Sequence, residues 1–259
     1  MGLFGRKKKN EQRASDLDDK YESLHSLEQY EEAIACCDEA IALDPEHSMA
    51  WLNKGNSLIK LGKYEEAIVC YNEVIRLDPE SHNAWINKGT ILDVLGKYEE
   101  AIACYDKVIT FEDPYHSESA LFGKGVTLFQ LERYEEAITC FDETIRLHNP
   151  GTITSIDLYS VLSYKGIVFH AMGKYEESIA CYDEAIKLDP EYSAAWYNKG
   201  NSLASLENYE ESIACCDEAI KLDTEYSAAW YNKGIALKKL GRDEEAEQCF
   251  EKARELDES

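Results

Sequence analysis

The sequence predicts an all-α solenoid of seven helix-turn-helix repeats, and three observations carry that prediction. The first is a 34-residue period: SAAWYNKGNSLASLENYEESIACCDEAIKLDT, from Ser193, returns from Ser227 as SAAWYNKGIALKKLGRDEEAEQCFEKARELDE. A period of this length decides the architecture before any residue-level reading begins. The second is that small and apolar residues fall on two helical stripes in each copy, Trp196, Gly200, Leu203 and Leu206, then Ser212, Ile213, Cys216, Ala219 and Ile220. The third is punctuation: a tight break at residues 207–208 separates the stripes, and Asp-Pro pairs close several copies. Neither helix can hide its stripe alone, so each repeat must pack on its neighbours.

The repeats start near Ala14, Ser48, His82, Glu118, Tyr159, Ser193 and Ser227, spanning about 14–47, 48–81, 82–117, 118–158, 159–192, 193–226 and 227–257. Residues 1–13 read as a flexible basic tail. Trp51, Trp85, Trp196 and Trp230 anchor four first helices, with Leu17, Leu121 and Leu162 in the others. Gly55, Gly89, Gly125, Gly166, Gly200 and Gly234 permit close helix approach, and Tyr21 holds that slot in the first repeat. Second helices open on Tyr-Glu-Glu at Tyr30, Tyr64, Tyr98, Tyr134, Tyr175 and Tyr209, with Asp243 standing in the seventh. Asp44-Pro45, Asp78-Pro79 and Asp189-Pro190 stop second helices, and Ser48, Ser193 and Ser227 read as N-caps of the next ones. Two spacings depart from 34: Gly89 to Gly125 is 36 and Gly125 to Gly166 is 41, placing insertions around residues 111–119 and 148–160. The Ile34 and Ile41 slots, apolar in six repeats, become Glu247 and Arg254 in the seventh, the polar substitution that a terminal repeat requires. That pattern implies an array ending there, with no catalytic domain beyond.

Trp-x3-Gly, Tyr-Glu-Glu-Ala/Ser, an aromatic or Cys, Ala and a closing Pro together resemble the tetratricopeptide repeat (TPR) family, over about residues 14–257. The resemblance implies a right-handed superhelix whose first helices line a concave groove that binds another protein. Opposite the Trp-Gly-Leu stripe, those helices carry Leu52, Asn53, Asn56; Ile86, Asn87, Thr90; Phe122, Val126, Phe129; Tyr164, Ile167, His170; Tyr197, Asn198, Asn201; and Tyr231, Asn232, Ile235. This face is nearly uncharged. Asn53, Asn87, Asn198 and Asn232 share one slot, where an amide could pair with the backbone of an extended peptide of any sequence. The row resembles the asparagine ladder of O-linked N-acetylglucosamine transferases, interrupted here by Asp19, Gly123 and Tyr164. The carboxylate clamp of the chaperone-binding members is not expected, because Leu52, Tyr197, Ser119 and Gly123 fill its basic slots.

The chain has 259 residues, 27 basic and 51 acidic, for a net charge of −24. That balance argues against nucleic acid and anionic surfaces as partners. It leaves one alternative reading, an assembly or regulatory factor bound by a basic partner on its acidic second helices. No run is apolar and long enough to span a membrane, and MGLFGRKKKN lacks a signal-peptide core. Leu3, Phe4 and residues 6–9 could still touch an anionic membrane surface weakly.

Nine cysteines are distributed as Cys36, Cys70, Cys104, Cys140, Cys181, Cys215 and Cys249 in one recurring slot, with Cys37 and Cys216 beside it. Small hydrophobes repeated in a core slot, in a reducing cytoplasmic compartment, is the reading that fits; a thiol-based redox or metal-responsive protein is the less favoured one. Lys20, Lys54, Lys88, Lys124, Lys165, Lys199 and Lys233 fill a slot where the family usually has Leu. Their stems can be buried while the ammonium groups reach acidic residues of a neighbouring helix. No phosphate-cradling glycine loop, HExxH or nucleophile elbow occurs, and the six histidines are scattered. The expectation is a non-enzyme without cofactor or metal.

Overall fold

A computed structural model describes residues 3–148 and 156–258, with side chains from Gln12 onward. Among the described residues there are fourteen α-helices and no strands. The helices pair as α1 (Leu3–Ser26) with α2 (Tyr30–Leu43), α3 (Ser48–Lys60) with α4 (Tyr64–Leu77), and α5 (His82–Val94) with α6 (Tyr98–Ile109), followed in the chain by α7 (Pro114–Gln130) and α8 (Tyr134–Leu147). They continue as α9 (Leu158–Ala171), α10 (Tyr175–Leu188), α11 (Ser193–Ser205), α12 (Tyr209–Leu222), α13 (Ser227–Lys239) and α14 (Asp243–Asp257). The chain divides into two compact units, an N-terminal one ending at Thr127 and a C-terminal one beginning at Leu128. α1 starts at Leu3, so the expected boundary at Ala14 falls inside a helix. Of the second insertion, residues 149–155 lie outside the described residues.

Each first helix ends in a Schellman turn. The Gly62 N–H donates to Ile59 O and the Lys63 N–H to Leu58 O, both at 2.9 Å. This geometry puts the residue after the C-cap in the left-handed region, where a Cβ is costly. Gly62, Gly96, Gly173 and Gly241 supply it at φ 71–75°, while Glu28, Glu132 and Glu207 hold it at φ 58–62°. The following helix starts without a side-chain cap, on paired acids such as Glu65 and Glu66 that favour the positive end of the helix dipole.

The joint between repeats is bonded from both sides. Asp44, Asp78, Asp189 and Asp223 accept the backbone N–H two residues on, at 3.0–3.2 Å. The indole N–H groups of Trp51, Trp85 and Trp196 reach back six residues to Pro45 O, Pro79 O and Pro190 O at 3.0–3.1 Å, and Trp230 does so to Thr224 O at 3.4 Å. These bonds correct one expectation. Ser48, Ser193 and Ser227 are the first residues inside their helices; the cap positions belong to His47, Tyr192 and Tyr226, none of which makes a side-chain cap bond. The cap slot instead serves packing, with Tyr192 4.9 Å from Tyr159 and Tyr226 4.9 Å from Tyr197, centroid to centroid.

Packing within a repeat places an aromatic ring of the second helix against the glycine of the first. A Cβ on Gly55, Gly89, Gly166 or Gly234 would come within 2.6–2.9 Å of Tyr71, Tyr105, Tyr182 or Phe250. The first repeat reverses the sizes, with buried Tyr21 packed on Cys37, and the sixth has two small partners, Gly200 and Cys216. Cores are shared between consecutive repeats: Leu58, Tyr71 and Val74 cluster with Ile91 of α5. From the second repeat on, lysines in the recurring slot tie the first helix to the preceding second helix. Lys54–Asp38, Lys124–Asp106, Lys165–Asp142, Lys199–Asp183 and Lys233–Asp217 pair at 2.5–2.7 Å, and Lys88 donates to Asn72 Oδ1 at 2.7 Å. Four of these ammonium groups also lie 5.4–5.9 Å from the Trp three residues earlier. The lysine row from Lys54 to Lys233 is thereby occupied as a structural tie. On α14, Arg254 pairs with Glu247 at 2.8 Å, so the two polar replacements of the isoleucine slots satisfy each other.

Candidate functional site

In the N-terminal unit the asparagines of the candidate face bond to one another through a tyrosine. The Tyr71 hydroxyl donates to Asn56 Oδ1 at 2.7 Å, and Asn87 Nδ2 donates to the same oxygen at 3.1 Å. Asn53, one turn away, is only 5 % exposed. Leu52, Ile86 and Phe122 are half-buried, and exposed Thr90 donates to Ile86 O at 3.1 Å. Here the amide row joins α3 to α5, and Asn87 spends its NH2 group on that bond.

The C-terminal unit repeats the arrangement once, with Asn232 Nδ2 donating to Asn201 Oδ1. It also opens a recess of about 90 Å³ lined by Ile167, His170, Tyr182, Asn198 and Asn201. Tyr197 and Tyr164 are half-buried, and Tyr231 is 53 % exposed with its ring 5.4 Å from Phe250. Phe129 packs on Tyr134 at 6.0 Å. The structure thus brings Asn198 and Asn201 together with Ile167 and His170, while Tyr182 enters from the second helix α10, where reading the first helices alone could not find it. The glycine-for-ring exchange is the signal that could have: Gly166 is the partner of Tyr182.

A serine chain fixes the imidazole. Ser178 Oγ donates to Gly166 O at 2.8 Å and lies 2.9 Å from Ser202 Oγ, which lies 2.9 Å from His170 Nδ1. With the Ser178 proton committed to Gly166 O, the Ser202 proton can go to Ser178, to Asn198 O, 3.2 Å away, or to His170 Nδ1. The proton between Ser202 and His170 sits on whichever of the two the imidazole tautomer dictates. Burial lowers the His170 pKa below its ordinary value, so the ring is neutral near pH 7. No carboxylate, ammonium or guanidinium lines the recess. Its chemistry is that of neutral donors and acceptors over an apolar floor, suited to peptide groups.

All nine cysteines are free and buried. Burial pushes the Cys37 and Cys216 thiols up to about 12 and those of Cys70, Cys181 and Cys215 up to about 11, away from the thiolate that redox or metal chemistry uses.

One further cluster forms at the first insertion, in the N-terminal unit. His82, at the start of α5, meets Asp113 and His116, at the start of α7. His116 Nδ1 hydrogen-bonds Asp113 Oδ2, and His82 Nε2 is 3.7 Å from the same oxygen. Asp113 Oδ1 accepts the Tyr115 N–H at 3.1 Å. Sequence reading passed over these residues as scattered; the available signal was an Asp-x2-His inside the segment that makes that repeat two residues longer.

A tetratricopeptide repeat model matches residues 48–81, 82–112, 193–226 and 227–259, just over half of the chain. The chain belongs to the tetratricopeptide repeat family. Two further TPR models match residues 166–206 and residues 22–47 and 118–147. Among solved structures, this TPR chain is similar to a tetratricopeptide repeat protein from Parabacteroides merdae, with 18% identity over 95% of this chain and 93% of that one, TM-score 0.73. It is also similar to YrrB, described as a TPR protein with an unusual peptide-binding site, with 21% identity over 76% and 97% of the two chains, TM-score 0.57. A third is PilF of Pseudomonas aeruginosa, with 17% identity over 78% and 88%, TM-score 0.66. No curated protein matches the sequence significantly.

Proposed function

We propose that this TPR protein is a non-catalytic interaction scaffold that binds an extended segment of another protein on the first helices of its C-terminal unit. The observation that carries the reading is the recess of Ile167, His170, Tyr182, Asn198 and Asn201, uncharged on a chain of net charge −24. Asn198 offers both donor and acceptor to a peptide backbone, and Tyr197 and Tyr231 flank it with amphipathic rings that lose little entropy on contact. Asn232 and Asn201 hold the wall through their mutual bond. The equivalent N-terminal face contributes less, because Asn53 is buried and Asn87 is bonded inward. YrrB, itself a peptide-binding TPR protein by its description, lends support by analogy alone.

The test is selection of peptides from a display library on the full chain, followed by affinity measurement against Asn198→Ala and Tyr197→Ala at low and at roughly 0.5 M salt. Salt at that level shortens the Debye length to a few ångströms, about 4 Å, and removes attraction between exposed charges. Peptides retained in high salt and weakened tenfold or more by Asn198→Ala support the recess. Peptides that are basic, lost in salt and indifferent to both substitutions would move the function to the acidic second helices.

A further inference from the structure

His82, Asp113 and His116 present one ligand atom each, all within 4.8 Å of one another, on two helix starts of the N-terminal unit. We propose that these three residues form a binding site for a divalent transition-metal ion of the zinc class, closing the longer turn between α6 and α7 onto the start of α5. The donor set argues for the ion. Two imidazoles and one carboxylate suit zinc, nickel or copper and are a poor match for magnesium or calcium, which ask for oxygen.

The orientation of the donors argues for it as well. His82 Nε2 is shielded from solvent and has no hydrogen-bond partner, although it lies 3.7 Å from the Asp113 carboxylate. A buried polar atom left without a partner is costly, and this one lies beside the Asp113 carboxylate that His116 also contacts. Donors about 2.1 Å from a tetrahedral ion lie about 3.4 Å apart. The His82–Asp113 separation is already close to that, and the His116–Asp113 pair has only to exchange its shared proton for the ion and open slightly. Asp113 is oriented for the task, since Oδ1 is held by the Tyr115 N–H while Oδ2 faces both rings. The rings of His82 and His116 lie 4.3 Å apart, with Phe111 and Tyr115 edge-on at 5.0 Å, giving the pocket an aromatic wall.

One effect opposes binding: the helices opening at His82 and Pro114 both turn their positive ends toward the site. The Asp113 carboxylate lies between those ends and offsets them, and the net charge of −24 draws cations to the surface. Three protein ligands leave at least one coordination position for water or for a donor from a partner.

The experiment titrates Zn2+, and separately Co2+, into the reduced full chain, using calorimetry for affinity and the cobalt visible spectrum for ligand type. The expected result is one ion per chain, a cobalt spectrum without a thiolate charge-transfer band, and affinity lowered at least about tenfold in both Asp113→Asn and His116→Gln. Circular dichroism of the metal-free variants establishes that they are folded, and His82→Gln serves where either is not. Affinity unchanged in the folded variants, a thiolate band, or equal binding of Mg2+ would overturn the proposal.

Discussion

The ring of Tyr71 occupies the space that a side chain on Gly55 would need: its Cε1 lies 2.8 Å from where a Cβ would stand. Tyr71 is fully buried, so the ring has no room to retreat. Gly55→Ala is therefore expected to destabilise the protein despite alanine's better helix propensity, with overpacking of about 1–3 kcal/mol set against a propensity gain of about 1 kcal/mol. Gly200→Ala is the control. Its nearest neighbours stand at 3.3–3.4 Å because Cys216 replaces the ring. It should be tolerated better than Gly55→Ala by about 1 kcal/mol or more. Urea midpoints that fall equally in the two variants would contradict the ring-for-glycine account.

Glu207 sits at φ 62° in the turn between α11 and α12, where four other repeats have glycine. Glu207→Gly removes the steric cost of the left-handed conformation and is expected to raise stability by about 0.5–1 kcal/mol net of chain entropy. Gly241→Glu should lower it by a similar amount. Both are read from chemical denaturation.

Lys88 bonds a neutral Asn72 where the equivalent lysines bond aspartate. Asn72→Asp should add a partly exposed ion pair worth roughly 0.3–1 kcal/mol at low salt. The gain should shrink in high salt and vanish in a Lys88→Met background. A gain that persists without the lysine would assign it to something other than the pair.

The buried thiols set an alkaline limit. In the folded chain Cys37 and Cys216 are raised by burial from 9.0 to about 12 and Cys70, Cys181 and Cys215 to about 11, so the unfolded chain releases these protons first as pH rises. Their contribution to stability is complete below about pH 9 and is lost progressively toward pH 11–12. Denaturation midpoints at pH 7, 8 and 10 should hold nearly steady between the first two and then fall. In the same terms, a thiol reagent at pH 8 should react slowly with the native protein and quickly in denaturant.

The repeat phase, the Trp anchors and the glycine slots are legible from sequence because each is a residue-type choice forced by local geometry and reiterated every 34 residues. The candidate face is only partly legible. That Asn87 reaches Asn56 and Tyr71, thirty-one and sixteen positions back, depends on how consecutive helices cross, which a linear pattern does not encode. The serine caps were misplaced for a related reason: the aspartate of the preceding turn already organises that joint. His82, Asp113 and His116 escaped because their meeting depends on a two-residue departure from the period, and departures carry no pattern of their own.

The joints of the C-terminal unit have a consequence for how such a chain changes length. Residues 193–200 and 227–234 both read SAAWYNKG, and residues 175–189 and 209–223 differ only at Tyr182 and Cys216. Across these joints the Lys pairs with the same Asp in either copy, and the Trp donates to the backbone carbonyl six residues back whether that residue is Pro190 or Thr224. A repeat can therefore be copied or deleted between Asp and Ser with its Lys–Asp pair and its Trp-to-turn bond re-formed by the new neighbour. Homologous chains of different length are accordingly expected to differ here by whole multiples of 34 residues, with the copy junction falling between the end of one second helix and the serine that opens the next.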